Sequence, residues 1–386
     1  MTHATPLSLP IPLALGCAAV LALASCDSDD DGGATPDDAP SAVAWERVEH
    51  FRFGNAEQMN SHATATNVFF QGNLFTVQGP TALEDVGPRE RVTYGAGSDD
   101  DYDNRKLPLS DHILVNYSVN GRGSLHFSAT DNPVLGRTDR YFSIAEHDTA
   151  FVEFELNSYW LGECMGLSDD GRALVPYYVY SDAPEHGYRR ELRLALITIP
   201  IDTNYVYGTA LGAPGMEVIR LGQDVYRTLL GPHAVEGGFV ASDLLGTYHI
   251  GNDATVERVS EAPIDKFVTV GDRVYGISDR PPGQGPAAAD IYASADQGRT
   301  WDRVAESDRQ LIFLNYDGVG ERAVGYRNDQ LFSFEFATAE GAELDNAGLD
   351  GASITSVVAH DSVAYVTTLS GVFEKPLAQL WDERAQ

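Results

Sequence analysis

Short apolar runs that recur at a nearly constant spacing constrain the fold of this 386-residue chain more than any other feature. Runs that begin near residues 264, 311 and 354 each open a group of apolar segments separated by Gly, Asn or Asp turns. A period of roughly 40–50 residues is typical of a repeated sheet unit. Apolar runs that occur by chance would not recur at a constant spacing. The spacing therefore predicts an all-β body built from four-stranded units.

A tight hairpin turn is predicted at Ser294-Ala-Asp-Gln-Gly-Arg-Thr-Trp301, between two apolar segments. Asp296 can accept hydrogen bonds from the amides of its own turn. Gly298 can supply the positive φ that a tight bend needs. Thr300 belongs on the returning strand, and the indole of Trp301 can lie under the turn.

The pattern Ser-x-Asp-x-Gly-x-Thr-Trp resembles the Asp-box, or BNR repeat, of sialidase-type β-propellers. Its defined positions are occupied by Ser294, Asp296, Gly298, Thr300 and Trp301. The resemblance implies an all-β fold, a single β-propeller of six to seven four-stranded blades, with seven preferred, over residues 45–386. In that family the Asp-box is a folding element that usually lies far from the active face, so it implies a fold and not a chemistry.

An open propeller would leave bare sheet edges, so the ring needs a closing strand. We expect a strand near Trp45–Phe53 to lie beside the last blade. Helix is predicted to be scarce, with one candidate turn at Leu377–Arg384. A two-domain β-sandwich arrangement is the alternative architecture.

The charge balance excludes some classes of partner. The chain carries 57 acidic against 26 basic residues, a formal net charge of −31. Such a surface repels nucleic acid and anionic lipid. Lysine occurs only at Lys106, Lys266 and Lys375. Acidity with scarce lysine fits a salt-loving source, or equally a GC-rich genome that favours arginine codons.

The N-terminus indicates export and a lipid anchor. Residues 7–24 form an apolar run that is too short and too proline-broken for a membrane span. Leu23-Ala-Ser-Cys26 resembles the bacterial lipobox, which implies that residues 1–25 are a lipoprotein signal peptide and that Cys26 is lipidated. No Lys or Arg precedes the run. A misplaced start codon would explain this departure. The alternative to the lipobox is a plain secretory signal with an incidental Cys.

Residues 26–44 are acidic and rich in Gly and Pro, which predicts a disordered tether. Acidic residues after the lipidated Cys resemble surface-export signals of Bacteroidota, whereas Asp at this position favours inner-membrane retention in enterobacteria. We expect a lipid-anchored protein of the bacterial cell envelope, at the outer membrane or cell surface, with the periplasmic face as the alternative. The body retains only Cys164, which excludes an intramolecular disulfide.

A candidate ligand site combines aromatic and basic residues in an otherwise acidic protein. Aromatic rings can stack on a sugar, and the guanidinium fork can bind an anion. The alternative is that the tyrosines belong to the core and the charges pair with Glu185 and Glu191. The candidate residues are Tyr178, Tyr180, His186, Tyr188, Arg189 and Arg190.

Metal sites have weak support in the sequence. Asp99, Asp101 and Asp103 place oxygen ligands at alternate positions, as calcium loops do. The glycine and terminal glutamate of an EF-type loop are missing, so a solvated acidic loop is the alternative. No histidine spacing indicates a transition metal, and we expect no cofactor.

The sequence favours a non-catalytic function. We expect a monomeric propeller that serves as a binding or scaffold module for a protein or a glycan. A sialidase-like glycoside hydrolase is the first alternative, although no Arg-Ile-Pro motif occurs and no Tyr–Glu pair can be located. No catalytic residue is assigned. Surface capture of a nutrient such as a siderophore or haem is the second alternative.

Overall fold

The computed structural model describes residues 43–48, 61–63, 68–70, 106–110, 113–118, 123–129, 139–154, 165–180, 190–205, 208–221, 230–279, 288–308, 311, 314–368 and 371–384. They belong to one compact unit, residues 42–386. Their regular structure is almost entirely antiparallel β-strand. The helices among them are α1 (Ile144–His147) and one turn of 3₁₀ helix (Leu377–Gln379).

Six sheets of four or more strands contain most of the described residues. The first strand of the described chain, β1 (Glu46–Arg47), belongs to the last of these sheets, called sheet 6 below. Strands β2 (Ser61–Ala63) and β3 (Val68–Phe70) form a separate ladder of two strands. The first three sheets are sheet 1, with β4 (Lys106–Ser110), β5 (Ile113–Ser118), β6 (Ser124–Ala129) and β7 (Asp139–Ser143); sheet 2, with β8 (Phe151–Phe154), β9 (Gly166–Ser168), β10 (Arg172–Tyr180), β11 (Arg190–Thr198) and β14 (Gly215–Arg220); and sheet 3, with β15 (Leu230–Val235), β16 (Gly238–Asp243), β17 (Gly246–Gly251) and β18 (Val256–Ser260). The last three are sheet 4, with β19 (Lys266–Val270), β20 (Arg273–Asp279), β21 (Ala289–Ser294) and β22 (Asp302–Ser307); sheet 5, with β23 (Asn315–Val319), β24 (Arg322–Arg327), β25 (Gln330–Glu335) and β26 (Glu340–Glu343); and sheet 6, with β27 (Ile354–His360), β28 (Val363–Thr368) and β29 (Gly371–Pro376).

The order of strands establishes a β-propeller. Each sheet is antiparallel, and an innermost strand of each contacts an innermost strand of the next sheet, from β9 through β15, β19 and β23 to β27. These innermost strands therefore lie around a common axis, which excludes two β-sandwiches. Strand β4 also contacts β9, and β2 of the two-stranded ladder contacts β27. The described residues thus form six sheets of four or more strands and two two-stranded ladders, β2–β3 and a second in the segment between β11 and β14, in agreement with the predicted six to seven blades.

The predicted closing strand is confirmed. Glu46 and Arg47 of β1 pair with Glu374 and Phe373 of β29, on the outer side of sheet 6. Trp45 precedes this strand and is 4% exposed. Its backbone amide and indole bind neighbouring carbonyls of the 344–348 segment, and the Nζ of the buried Lys375 lies 5.7 Å from its ring.

The cores lie between the sheets. Each hydrophobic cluster takes its residues from two adjacent sheets, as in the cluster that joins Val324 of sheet 5 to Val357 of sheet 6. The cluster between sheets 1 and 2 contains Phe127 and Tyr177, both fully buried. Packing between sheets therefore sets the geometry of every surface that lies at a blade boundary.

Sheet 2 departs from the regular pattern. Both β8 and β9 pair with β10, so two short strands share the innermost position. A further hairpin of β12 (Ile201–Tyr205) and β13 (Gly208–Leu211) lies between β11 and β14 along the chain. These additions make sheet 2 span residues 151–220, longer than the period of roughly 40–50 residues that is typical of a repeated sheet unit.

The expectation that a strand begins near 311 is corrected: of that apolar run the structure describes Leu311 and Leu314, and neither lies in a strand. The first strand of sheet 5 begins at Asn315, and the amide of Leu314 instead closes a turn on the carbonyl of Leu311. Leu311 is 3% exposed and packs in the cluster between sheets 4 and 5. Leu311 and Leu314 thus contribute to a core from a turn, which periodicity alone does not distinguish from a strand.

Candidate functional site

We define the upper face of the propeller as the one that carries the connections between second and third strands, and the lower face as the opposite one. The predicted ligand loop lies in sequence between β10 and β11, whose adjoining ends are at the upper face. Tyr180 and Arg190 are directly paired across these strands, and the side chain of Tyr180 is exposed. Tyr178 is paired with Leu192 and packs against the cluster between sheets 2 and 3.

The other predicted members of this site, His186, Tyr188 and Arg189, lie outside the described residues, as does the side chain of Arg190. Cys26, Cys164 and the Asp99, Asp101 and Asp103 loop lie outside them as well. Their roles remain predictions from the sequence.

A charged network lies in the core beside this hairpin and was not predicted. The hydroxyl of Tyr177 and Nη1 of Arg193 both donate to Oδ2 of Asp148, each at 2.7 Å. Arg193 Nε also donates to Glu191 at 3.1 Å, and the Ala150 amide donates to the other oxygen of Asp148. We call Asp148, Tyr177, Glu191 and Arg193 the Asp148 network.

Burial and pairing fix the ionisation of this network. Burial by itself raises the pKa of Asp148, but hydrogen bonds from Tyr177 and Arg193 outweigh it and the pKa is lowered. Burial raises the pKa of the Tyr177 phenol well above its ordinary value, and the Asp148 carboxylate adds to the shift. Tyr177 is therefore a neutral donor to an ionised carboxylate, which is unsuited to a nucleophilic phenolate.

The Ser294–Trp301 turn has the local bonding expected from its residue types. Asp296 Oδ1 accepts the Thr300 amide at 2.8 Å and the Arg299 amide at 3.1 Å, while Oδ2 accepts the Thr300 hydroxyl at 2.7 Å. Ser294 Oγ accepts the Gly298 amide at 2.7 Å, and the Trp301 indole donates to the Gly298 carbonyl at 3.0 Å. Burial by itself raises the pKa of Asp296, but the hydrogen bonds from Thr300, Ser294 and Arg299 outweigh it and the pKa is lowered.

This turn also contacts the neighbouring sheet. Gly298 has φ +82°, and a Cβ placed there would overlap Cγ1 of Val240 on β16. Gln297 Oε1 accepts the Glu236 amide of sheet 3 at 3.2 Å. The turn joins β21 to β22 on the lower face, so it fastens sheet 4 to sheet 3 at the face opposite to the adjoining ends of β10 and β11.

A cleft of about 800 Å³ opens between sheets 4 and 5. Strand β22 borders it on one side, and the β23–β24 turn, β25 and β26 border it on the other. We call it the acidic cleft, because its carboxylates outnumber its single arginine, Arg322. The carboxylates are Glu306, Asp308, Glu321, Glu335 and Glu340, all exposed.

Aromatic rings form the apolar part of the acidic cleft. Tyr275 stacks on Phe336 with ring centres 4.7 Å apart, and Phe334 meets Phe336 edge to face at 5.0 Å. Tyr275 and Phe334 are half-buried, so each keeps part of its surface accessible. The cleft therefore combines an accessible aromatic floor with a negative rim.

Within the described residues, no three His, Cys, Asp or Glu side chains converge in a way that could hold a metal ion. None of the helices in this part of the chain is long and apolar enough to cross a membrane. The polar and aromatic groups that line the acidic cleft include five carboxylates, the guanidinium of Arg322 and aromatic rings.

No protein-family model matches the sequence, and no curated protein matches it. Among solved structures, BamB from Moraxella catarrhalis is similar with a TM-score of 0.39 and 13% identity, over 86% of this chain and 97% of that one. A prolyl endopeptidase is similar with a TM-score of 0.41 and 15% identity, over 89% of this chain and 49% of that one. This chain therefore spans about half the length of the endopeptidase. A mutant Trypanosoma rangeli sialidase with trans-sialidase activity is similar with a TM-score of 0.39 and 10% identity, over 87% of this chain and 59% of that one. With TM-scores below 0.5, these similarities add nothing to the fold that the sheet order establishes.

Proposed function

We propose that this protein is a lipid-anchored, non-catalytic binding module of the bacterial cell envelope, whose propeller holds a partner at its acidic cleft. The observation that carries the proposal is the cleft itself. Its volume of about 800 Å³ lies within the range of roughly 300–1,000 Å³ that is typical of ligand sites. It also combines an aromatic floor with carboxylates from two sheets.

The Asp148 network does not supply the tyrosine–carboxylate pair that the alternative, a sialidase-like hydrolase, would need. A glycoside hydrolase of that kind needs an accessible tyrosine beside a carboxylate. Tyr177 lies beside Asp148, but it is fully buried and held as a neutral donor. Its contacts with Asp148 and Arg193 are those of a structural network that fastens the connection between α1 and β8 to sheet 2.

The lipid anchor in this proposal rests on Cys26 and the apolar run before it. Cells that produce the full chain are grown with an alkynyl fatty acid, and the purified protein is tested for label. Label that disappears in Cys26→Ser supports the anchor. Equal label in both proteins, or label in neither, contradicts it.

The binding function is tested by photocrosslinking in the native cell envelope. A benzoylphenylalanine replaces Thr338, which is exposed and lines the acidic cleft. The matched control carries the same group at the exposed Asp202 on β12. We expect a discrete heavier adduct from position 338 and none from position 202. The same pattern from both positions, or no adduct from either, contradicts the proposal.

A further inference from the structure

We infer that the acidic cleft binds a lysine- or arginine-bearing segment of a partner protein, with the aliphatic part of its side chains on the aromatic floor. The inference deepens the proposed function and rests on it. Three independent features of the cleft select this occupant: the cavity, the floor and the charge of the rim.

The floor favours ligands that have an apolar or cationic group to place on an aromatic ring. Tyr275 and Phe334 are half-buried, and both are packed in place by Phe336. A Lys or Arg side chain suits such a surface, because its methylene stem covers apolar area while its charged head stays in water. The same head is attracted to the face of an aromatic ring within about 6 Å.

The rim favours positive charge. Its carboxylates come from both sheets, with Glu306 and Asp308 on one side and Glu335 and Glu340 on the other. Their own chain compensates them only in part. Glu306 is paired at 2.7 Å with Arg303, and the guanidinium of Arg322 lies 3.8 Å from the ring of Trp381.

The wider protein adds to this preference. A formal net charge of −31 repels anionic ligands and steers cationic ones to the surface. Such steering is general to the surface and cannot by itself select the cleft. The cleft is selective because its rim and its floor act on the same side chain of the ligand. A ligand must therefore be both cationic and partly apolar to bind well.

The test measures binding of fluorescein-labelled octapeptides to the full-length protein in detergent by fluorescence anisotropy. One peptide alternates Lys with Leu, and the second alternates Lys with Ser. We expect the Lys–Leu peptide to bind several-fold more tightly, because only its side chains cover the floor. Equal affinities for the two peptides contradict a role for the aromatic rings.

The role of charge is tested with two matched triple variants, each of which loses three negative charges. Glu321→Gln/Glu335→Gln/Glu340→Gln changes the rim, and Glu46→Gln/Asp202→Asn/Glu217→Gln changes exposed carboxylates elsewhere. We expect the rim variant to weaken Lys–Leu binding about tenfold, the sum of three exposed ion pairs, and the control variant less than twofold. Equal losses in both variants mean general surface attraction and overturn the inference.

Competition separates a protein segment from other ligand classes. Spermine is positively charged like the Lys–Leu peptide but lacks its apolar side chains. The neutral sugar maltohexaose has neither positive charge nor apolar side chains. We expect both to compete at least tenfold more weakly than unlabelled Lys–Leu peptide. A sugar or spermine that competes equally well overturns the inference. If position 338 still crosslinks a partner in that case, the proposed binding function stands and only this occupant is wrong.

Discussion

The backbone amide of Val357 on β27 donates a 2.6 Å hydrogen bond to Oδ2 of Asp317 on β23, which joins the innermost strands of two neighbouring sheets. Burial raises the pKa of Asp317 to about 6, although the Val357 amide, Tyr326 and Lys266 all act to lower it. The bond between the blades therefore involves a carboxyl group that changes charge near neutral pH.

We expect Asp317 to make the fold less stable as pH rises. Its folded pKa is above the unfolded value, so its contribution to stability is fully present below about pH 4 and is lost as pH rises to about 6. Asp317→Asn keeps an acceptor for the Val357 amide without the charge. We expect this variant to gain about 1–2 kcal/mol at pH 7 relative to the original protein. Urea denaturation from pH 4 to 7 measures the difference, and an unchanged difference across that range contradicts it.

Gly298→Ala should destabilise the protein by about 2–4 kcal/mol. The substitution combines a positive φ with an overlap on Val240 of the neighbouring sheet. Gly320→Ala is the matched control, since Gly320 has φ +61° in a turn but no atom near its absent Cβ. We expect the control to cost about 1 kcal/mol. Thermal unfolding of both variants separates backbone strain from the contact between sheets, and equal losses would show that the contact is unimportant.

Removal of Arg193 should cost more than removal of the Tyr177 hydroxyl. Tyr177→Phe deletes one hydrogen bond to a charged group and should cost about 1.5–3 kcal/mol. Arg193→Met leaves Asp148 with 10% side-chain exposure and no cation, which should cost about 3–5 kcal/mol. Denaturant titrations at pH 7 check the order. Neither variant should alter peptide binding at the acidic cleft, and a loss there would connect the network to the site.

Trp45 should contribute strongly to ring closure. Trp45→Ala removes a buried indole and its bond to the Asp345 carbonyl, so we expect a loss of about 3–5 kcal/mol. Trp45→Phe keeps most of the buried area and should lose about 1 kcal/mol with the hydrogen bond. Chemical denaturation followed by circular dichroism compares them. Similar, small losses would mean that the β1–β29 pairing closes the ring without the side chain.

The sequence predicts local structure here far better than contacts between distant residues. In the Ser294–Trp301 turn, the hydrogen bonds that shape the loop join residues at most four positions apart, so residue types and spacing predict them. In the Asp148 network the partners are 29 and 45 positions apart, and no local pattern relates them.

Sheet 3 shows why strands can be missed. Strands β16 and β17 are buried along their whole length, so they lack the alternation of a half-exposed strand. They also contain Gly, Ser, Thr and His at buried positions, which hides them among turn-like segments. The acidic cleft is hidden for a different reason, because it exists only where two separately predicted units pack together.

The two-residue strand β1 gives the ring a mechanical weak point. Within the described chain it is the first strand, and it forms the outer side of sheet 6, where Glu46 and Arg47 pair with β29 and the Val48 amide donates to the Val372 carbonyl at 2.9 Å. A pull applied from the N-terminal side of Val43 is therefore resisted first by these pairs and by the Trp45 indole. Force on that side would open the propeller at its seam before loading any strand of sheets 1 to 5.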